Sequence, residues 1–179
     1  MRRAAFLDRD GVLNEFVVRG GCGVSPRRID DFQLLPRVAQ AVELLRQAGF
    51  LAVVVTNQPD VARGFLDLKS LDGMHERLRQ AVGVDAIYAC CHDDGDGCDC
   101  RKPKPGLIFR AAKEWQIDLN KSFLVGDSWK DIEAGRTAAC TTVLIKSAGQ
   151  HYAGPKPDFL ANDLGNAVEI ILSGACPRR

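Results

Sequence analysis

The chain has 179 residues, 46% of them hydrophobic and 26% charged, a balance that supports one domain spanning residues 1–179 with a core of its own. Lys and Arg number 24 against 23 Asp and Glu, so the formal net charge of +1 gives no global field that favours nucleic acid or an anionic membrane. No apolar run approaches the roughly 20 residues that cross a bilayer, and the stretch behind Met1-Arg2-Arg3 stops at Asp8, too early for a secretion signal; a cytoplasmic monomer without nucleic-acid or membrane partners is expected.

Residues 4–7 form a short apolar run that reads as a buried strand ending at Asp8. Residues 15–26, with Gly20, Gly21 and Gly23, read as a loop. Val38, Ala41, Val42, Leu44 and Leu45 recur at helical spacing, and Gly49 stands where a helix would stop. Residues 51–55 are continuously apolar and rich in β-branched side chains, as a strand covered on both faces should be. A polar helix is expected over 71–82, a strand over 86–90, a helix over 107–115, a strand over 122–125, a helix over 131–138 and a strand over 142–145. A short strand at 158–160 and a helix at 164–172 complete the series, and the tail from Gly174 reads as frayed. Strands alternating with helices predict an α/β fold, a parallel sheet with helices on both faces. Functional side chains in such sheets gather at the carboxyl ends of the strands.

Those ends carry the informative residues. Phe6-Leu7-Asp8-Arg9-Asp10-Gly11 places two carboxylates two residues apart behind the first strand, with a glycine for the turn. Phosphoryl transfer needs a nucleophile, a cation to neutralise phosphate charge and an acid for the leaving oxygen. Asp8 suits the nucleophile and a metal oxygen; Asp10 suits the acid that protonates the leaving alcohol and then takes a proton from water. Taken alone, an Asp-x-Asp pair is also a common surface turn. Thr56-Asn57-Gln58 ends the next strand with a hydroxyl and two amides, and Thr56 suits a phosphate oxygen. Arg101-Lys102-Pro103-Lys104 sets three cations before a helix, where a lysine offsets charge on a phosphorylated aspartate. Gly126-Asp127-Ser128-Trp129-Lys130-Asp131 carries two acids four apart. Asp127 suits a hard Mg²⁺ ligand; Asp131 either answers the helix dipole or orients Lys102 or a metal-bound water.

Four of the seven cysteines, Cys90, Cys91, Cys98 and Cys100, crowd one acidic, glycine-rich stretch with His92. Cys-x-His followed by Cys-x-Cys supplies three thiolates and an imidazole, a closed tetrahedral set for structural Zn²⁺. Spacing alone admits either Cys90 or Cys91 beside His92, Cys98 and Cys100. His75, on a polar helix, reads as solvated, and Phe109 and Trp115 read as core. His151, Cys22, Cys140 and Cys176 receive no role.

Asp-x-Asp-Gly, the threonine after the second long strand, the lysine before a helix and Gly-Asp-x-x-x-Asp stand in the order found in haloacid dehalogenase superfamily phosphatases, which the chain resembles over nearly its whole length. The resemblance implies a Rossmann-like haloacid dehalogenase fold without a large cap domain. It implies Asp8 as nucleophile, Asp10 as acid/base, Thr56 and Lys102 as phosphoryl stabilisers, and Mg²⁺ held by Asp8, the Asp10 backbone carbonyl and Asp127. The Cys-x-His…Cys-x-Cys-Arg-Lys-Pro run is similar to that of the D-glycero-D-manno-heptose-1,7-bisphosphate 7-phosphatases and of histidinol-phosphate phosphatases. In both, proline usually stands at the position of Cys91, which favours Cys90 as a ligand. Ala62-Arg63-Gly64 and Asn14 resemble the heptose branch. The expected reaction is then Mg²⁺-dependent hydrolysis of a small phosphorylated sugar at the 7-phosphate, with Asn57, Gln58, Arg63, Arg101 and Ser128 binding the substrate. Arg101 would grip the distal phosphate or a sugar hydroxyl. Histidinol phosphate is the alternative substrate, and a zinc-stabilised binding module without catalysis the alternative outside enzymes. Pro59-Asp60, residues 15–26 and Ser128 depart from the heptose pattern beside the pocket.

Overall fold

The computed structural model describes residues 1–146 and 152–174, so His151, Cys176 and the tail beyond 174 lie outside the described residues. In chain order the elements are β1 (Arg3–Leu7), β2 (Val17–Arg19), β3 (Cys22–Val24), α1 (Val38–Gln47), β4 (Phe50–Asn57), α2 (Leu68–Val82), β5 (Ala86–Cys90), α3 (Gly106–Trp115), β6 (Phe123–Gly126), α4 (Trp129–Thr137), β7 (Thr141–Ile145), β8 (Phe159–Ala161) and α5 (Leu164–Leu172). Six strands pair in the order β5-β4-β1-β6-β7-β8, every pair parallel.

The α/β architecture expected from the alternating pattern is present. In β1 and β4 successive side chains point to opposite faces, and both faces are apolar. Ala5, Leu7, Ala52 and Val54 join a cluster with α1, α2 and α5. Ala4, Phe6, Leu51, Val53 and Val55 join a second cluster with α3 and α4. Each fully enclosed Leu, Val or Phe contributes about 1.5–3 kcal/mol relative to exposure, so a strand buried on both sides is held from both.

Boundaries moved where caps decide them. The helix expected from 71 begins at Leu68, because the Asp67 carboxylate accepts the Ser70 N–H at 2.8 Å. The helix expected from 131 begins at Trp129, where Ser128 and Asp131 form a capping box. Residues 15–26, expected as a loop, contain the antiparallel β2–β3 hairpin. Its turn is Gly20-Gly21, with φ of 58° and 80°, the left-handed pair a two-residue hairpin requires. This hairpin, rather than a helical cap domain, fills the path from β1 to α1. Among the described residues no helix is long and apolar enough to cross a membrane.

Candidate active site

Strands β4, β1 and β6 are neighbours, with β1 between the other two, and each ends in one of the polar motifs. Asp8 follows β1 directly and donates its N–H to the Val125 carbonyl of β6 at 2.9 Å. Asn57 ends β4, and Asp127 follows Gly126 at the end of β6. Two glycines make this convergence possible. Gly11 has φ of +80°, and a Cβ there would overlap the Asp127 carboxylate; a Cβ at Gly126 would overlap the Asp131 side chain.

Lys102 reaches the centre. Its side chain is 3% exposed, with Nζ 2.9 Å from Asp8 Oδ1 and 2.5 Å from Asp131 Oδ1. Asp131 is fully buried, and its other oxygen accepts from the Ser128 N–H and hydroxyl. Asn57 fixes the Lys102 backbone, its Oδ1 accepting the Lys102 N–H and its Nδ2 donating to the Lys102 carbonyl, each at 3.0 Å. Burial alone would lower the Lys102 pKa, but Asp131 and Asp8 outweigh it and hold the ammonium charged.

The carboxylates around that one ammonium are crowded. Burial, with the charges of Asp131 and Asp127, pushes Asp8 up to about 8 against the pull of Lys102. Burial and Asp131 push Asp127 to about 7. Oxygens of Asp8, Asp127 and Asp131 lie within 4.8 Å of one another. Hard oxygen donors, more carboxylates than cations and pKa values raised by burial and then by neighbouring negative charge are what a divalent cation would relieve, so the residues fit Mg²⁺. Asp131 spends both oxygens on Lys102 and Ser128, which leaves Asp8 and Asp127 as side-chain donors.

Asp10 is buried beside this centre and accepts from four side chains. Arg9 donates through Nε and Nη2 at 2.9–3.1 Å, Asn14 at 2.8 Å, Ser25 at 2.9 Å and Gln58 at 2.8 Å. Burial would raise its pKa, but Arg9, Asn14 and Gln58 outweigh burial and hold it below the usual carboxylate value.

Several expectations are corrected by this geometry. Gln58 is fully enclosed; its Nε2 donates to Asp10 and to the Thr56 hydroxyl, so it orients both and does not line the cleft. Arg63 is exposed and forks onto Asp93 at 2.6 and 2.8 Å, tying down the cysteine loop instead of lining the cleft. His75 is 5% exposed rather than solvated, with Nε2 3.4 Å from Arg9 Nη1. Phe109 faces solvent, and Trp115 is half-buried with its Nε1 donating to the Tyr88 hydroxyl. Arg9, to which spacing assigns nothing, is the largest fully buried side chain among the described residues.

A cleft of about 210 Å³ opens over Asp8, lined by Asp10, Ser25, Arg101, Asp127, Ser128 and Lys130 among others. A second cavity of about 340 Å³ adjoins it, sharing Arg101, Lys102 and Lys130 and adding Lys104 and Trp129. Thr56 is buried under the cleft rather than open to it.

Cys90, His92, Cys98 and Cys100 bring their Sγ and Nδ1 atoms within 4.8 Å of one another, with Cys100 Sγ 3.2 Å from Cys90 Sγ and 3.3 Å from His92 Nδ1. The strand alternation of β5 sends the adjacent cysteines to opposite sides of the sheet. Cys90 belongs to the α3-side cluster, next to Cys98 and Cys100, whereas Cys91 packs against the opposite core. Three sulfurs and one imidazole fit a tetrahedral soft-metal site.

A parallel sheet with an aspartate at its central strand end, a buried lysine against that aspartate and a second carboxylate from the next strand defines a phosphatase of the haloacid dehalogenase-like class. Residues 99–167 match the HAD-hydrolase-like family. A D-glycero-β-D-manno-heptose-1,7-bisphosphate 7-phosphatase of Pseudomonas aeruginosa is 39% identical over 96% of this chain and 98% of its own length. That of Pasteurella multocida is 42% identical over 82% of this chain and 83% of its own. The solved D,D-heptose 1,7-bisphosphate phosphatase of B. bronchiseptica, complexed with magnesium and phosphate, superposes with a TM-score of 0.83 at 32% identity, covering 97% of this chain and 99% of that one. The chain belongs to the haloacid dehalogenase-like family of heptose-bisphosphate phosphatases, and it is a phosphoric monoester hydrolase.

Proposed function

We propose that the enzyme hydrolyses the 7-phosphate of D-glycero-D-manno-heptose 1,7-bisphosphate through an aspartyl-phosphate at Asp8. The observation that carries the chemistry is Asp8 at the end of β1, against Lys102 and open to the cleft. The adjoining cavity sets Arg101, Lys104 and Lys130 beside Asp93 and Asp94, with Arg101 Nε 2.7 Å from Asp94 Oδ1, and its cations support a substrate with a second phosphate.

In the first half-reaction a carboxylate oxygen of Asp8 attacks phosphorus and the bond to the sugar oxygen breaks. The Asp10 carboxyl gives its proton to that oxygen. In the second, Asp10 takes a proton from water, the water oxygen attacks phosphorus, and phosphate leaves Asp8 free. Donors around Asp10 favour its anion, the form that acts as base in this step. Lys102 offsets charge on the equatorial phosphoryl oxygens, and Asp131 and Asn57 keep it there. Gln58 orients the Thr56 hydroxyl beneath the same group. Asp8, Asp127 and the Asp10 backbone carbonyl would hold Mg²⁺, which supplies Lewis-acid neutralisation of phosphate charge when bound. Cys90, His92, Cys98 and Cys100 would hold a structural Zn²⁺ that orders the loop carrying Arg101. Arg101 and Ser128 are the substrate contacts, with Lys130 beside them.

A phosphatase panel with Mg²⁺, containing both anomers of heptose bisphosphate, other sugar phosphates and histidinol phosphate, tests the proposal. Preference for heptose bisphosphate at the 7-position is expected. Preference for histidinol phosphate would overturn the substrate and leave the Asp8 chemistry standing; no hydrolysis of any monoester would overturn both.

A further inference from the structure

Arg9 sits between two catalytic-site aspartates and yet is 0% exposed. A buried guanidinium is tolerated only where its donors are met. One edge, Nε and Nη2, faces Asp10. The other edge, Nη1, faces Nε2 of His75, from the buried stripe of α2, at 3.4 Å. The Phe32 ring lies 5.6 Å from the guanidinium carbon and covers one face. Burial, then the charges of Arg9 and Arg79, hold His75 down to about 4 against the pull of Asp10, so the imidazole meets Arg9 neutral, as an acceptor.

We propose that His75 is a positioning residue for the acid/base Asp10, acting through the buried Arg9 guanidinium. The inference rests on the reading of Asp10 as acid and base. The two edges of a planar guanidinium move together. With His75 present, the orientation that satisfies Nη1 also aims Nε and Nη2 at Asp10. Without an acceptor at position 75, Nη1 is a buried donor with no partner, and the plane tilts toward whatever can meet it. Asp10 then turns with it, away from the leaving oxygen. Asn14, Ser25 and Gln58 still hold Asp10, so the loss is partial.

Leaving-group dependence separates positioning from folding. A sugar phosphate needs a proton on its leaving oxygen, whereas the nitrophenolate of p-nitrophenyl phosphate departs without one. His75→Leu should lower kcat/KM, which reports phosphoryl transfer to Asp8 and not the shared water step, roughly tenfold on the sugar phosphate, a part of the about 10²–10⁴-fold a general acid contributes, and by less than about twofold on p-nitrophenyl phosphate. His75→Gln, whose side-chain oxygen restores an acceptor, should return the ratio toward that of the parent enzyme. Should His75→Leu not fold, the unbranched His75→Met carries the same expectation. Asp10→Asn is measured alongside. If Asp10→Asn shows the leaving-group dependence in kcat/KM and the apolar variant lowers kcat/KM equally on both substrates, or on neither, the role of His75 is overturned alone. If Asp10→Asn itself lowers kcat/KM equally on both substrates, the acid/base reading falls and the inference with it.

Discussion

Lys102 shows how much of the site depends on one atom. Its Nζ stands between Asp8 and Asp131, almost without solvent. Lys102→Met removes the only cation in direct contact with Asp8 among the described side chains and leaves the acids facing one another. Loss of kcat by about 10²–10³ is expected from removing such a stabiliser, with Asp8 phosphorylated more slowly; steady-state kinetics at saturating Mg²⁺ checks it. At this scale the sequence was most readable where residues act through identity and spacing. Asp8, Asp127 and Lys102 follow their strands, or precede a helix, and the fold brings them together. Arg9 was unreadable because nothing in Asp-Arg-Asp says that a guanidinium turns inward. Gln58 and Arg63 were misplaced for a related reason: an amide or guanidinium near a site is as useful holding neighbours as holding substrate, and only the bonds tell which.

The elements carry their own tests. On α2 the buried positions Leu71, Met74, His75, Leu78 and Val82 form one stripe at helical spacing. His75 belongs to it by register, a signal that was available beneath the polar composition. Its pKa is about 4 folded against an ordinary value near 6.5. The unfolded chain therefore takes up the proton first on acidification. The stabilisation is fully present above about pH 6.5 and is lost as pH falls toward 4. Between about pH 7.5 and 5 the enzyme should lose on the order of 2 kcal/mol from this group. Urea unfolding at both pH values should show that part of the slope absent in His75→Gln. The cysteine loop makes a second test. Cys90→Ser should lose bound zinc and Cys91→Ser should keep it, read by metal content after purification; the reverse would mean that β5 enters the loop in the other register. The β2–β3 hairpin was missed because its strands are three residues each, although Gly20-Gly21 between Val17-Val18 and Gly23-Val24 is a hairpin signal.

Across the whole molecule, the parallel sheet was legible because burial on both faces leaves continuous apolar runs, and because helices must cover them. The sheet order was not, since pairing is set by which crossovers pack, not by any one segment. That order matters most: β1 at the centre, with β4 and β6 beside it, is what gathers residues 8, 57 and 127 into one cleft. The two adjoining cavities are built by the loop carrying Arg101 and by the first turn of α4, which carries Lys130. The whole reaction turns on the carboxylate at the end of β1. The most direct measurement is rapid acid quench of the enzyme during turnover of a radiolabelled substrate with Mg²⁺, followed by peptide mapping. The prediction is a phosphoryl group on the peptide containing Asp8, absent from a folded Asp8→Asn variant that releases no phosphate. Phosphate release by Asp8→Asn, or a label carried on a different peptide, would contradict it.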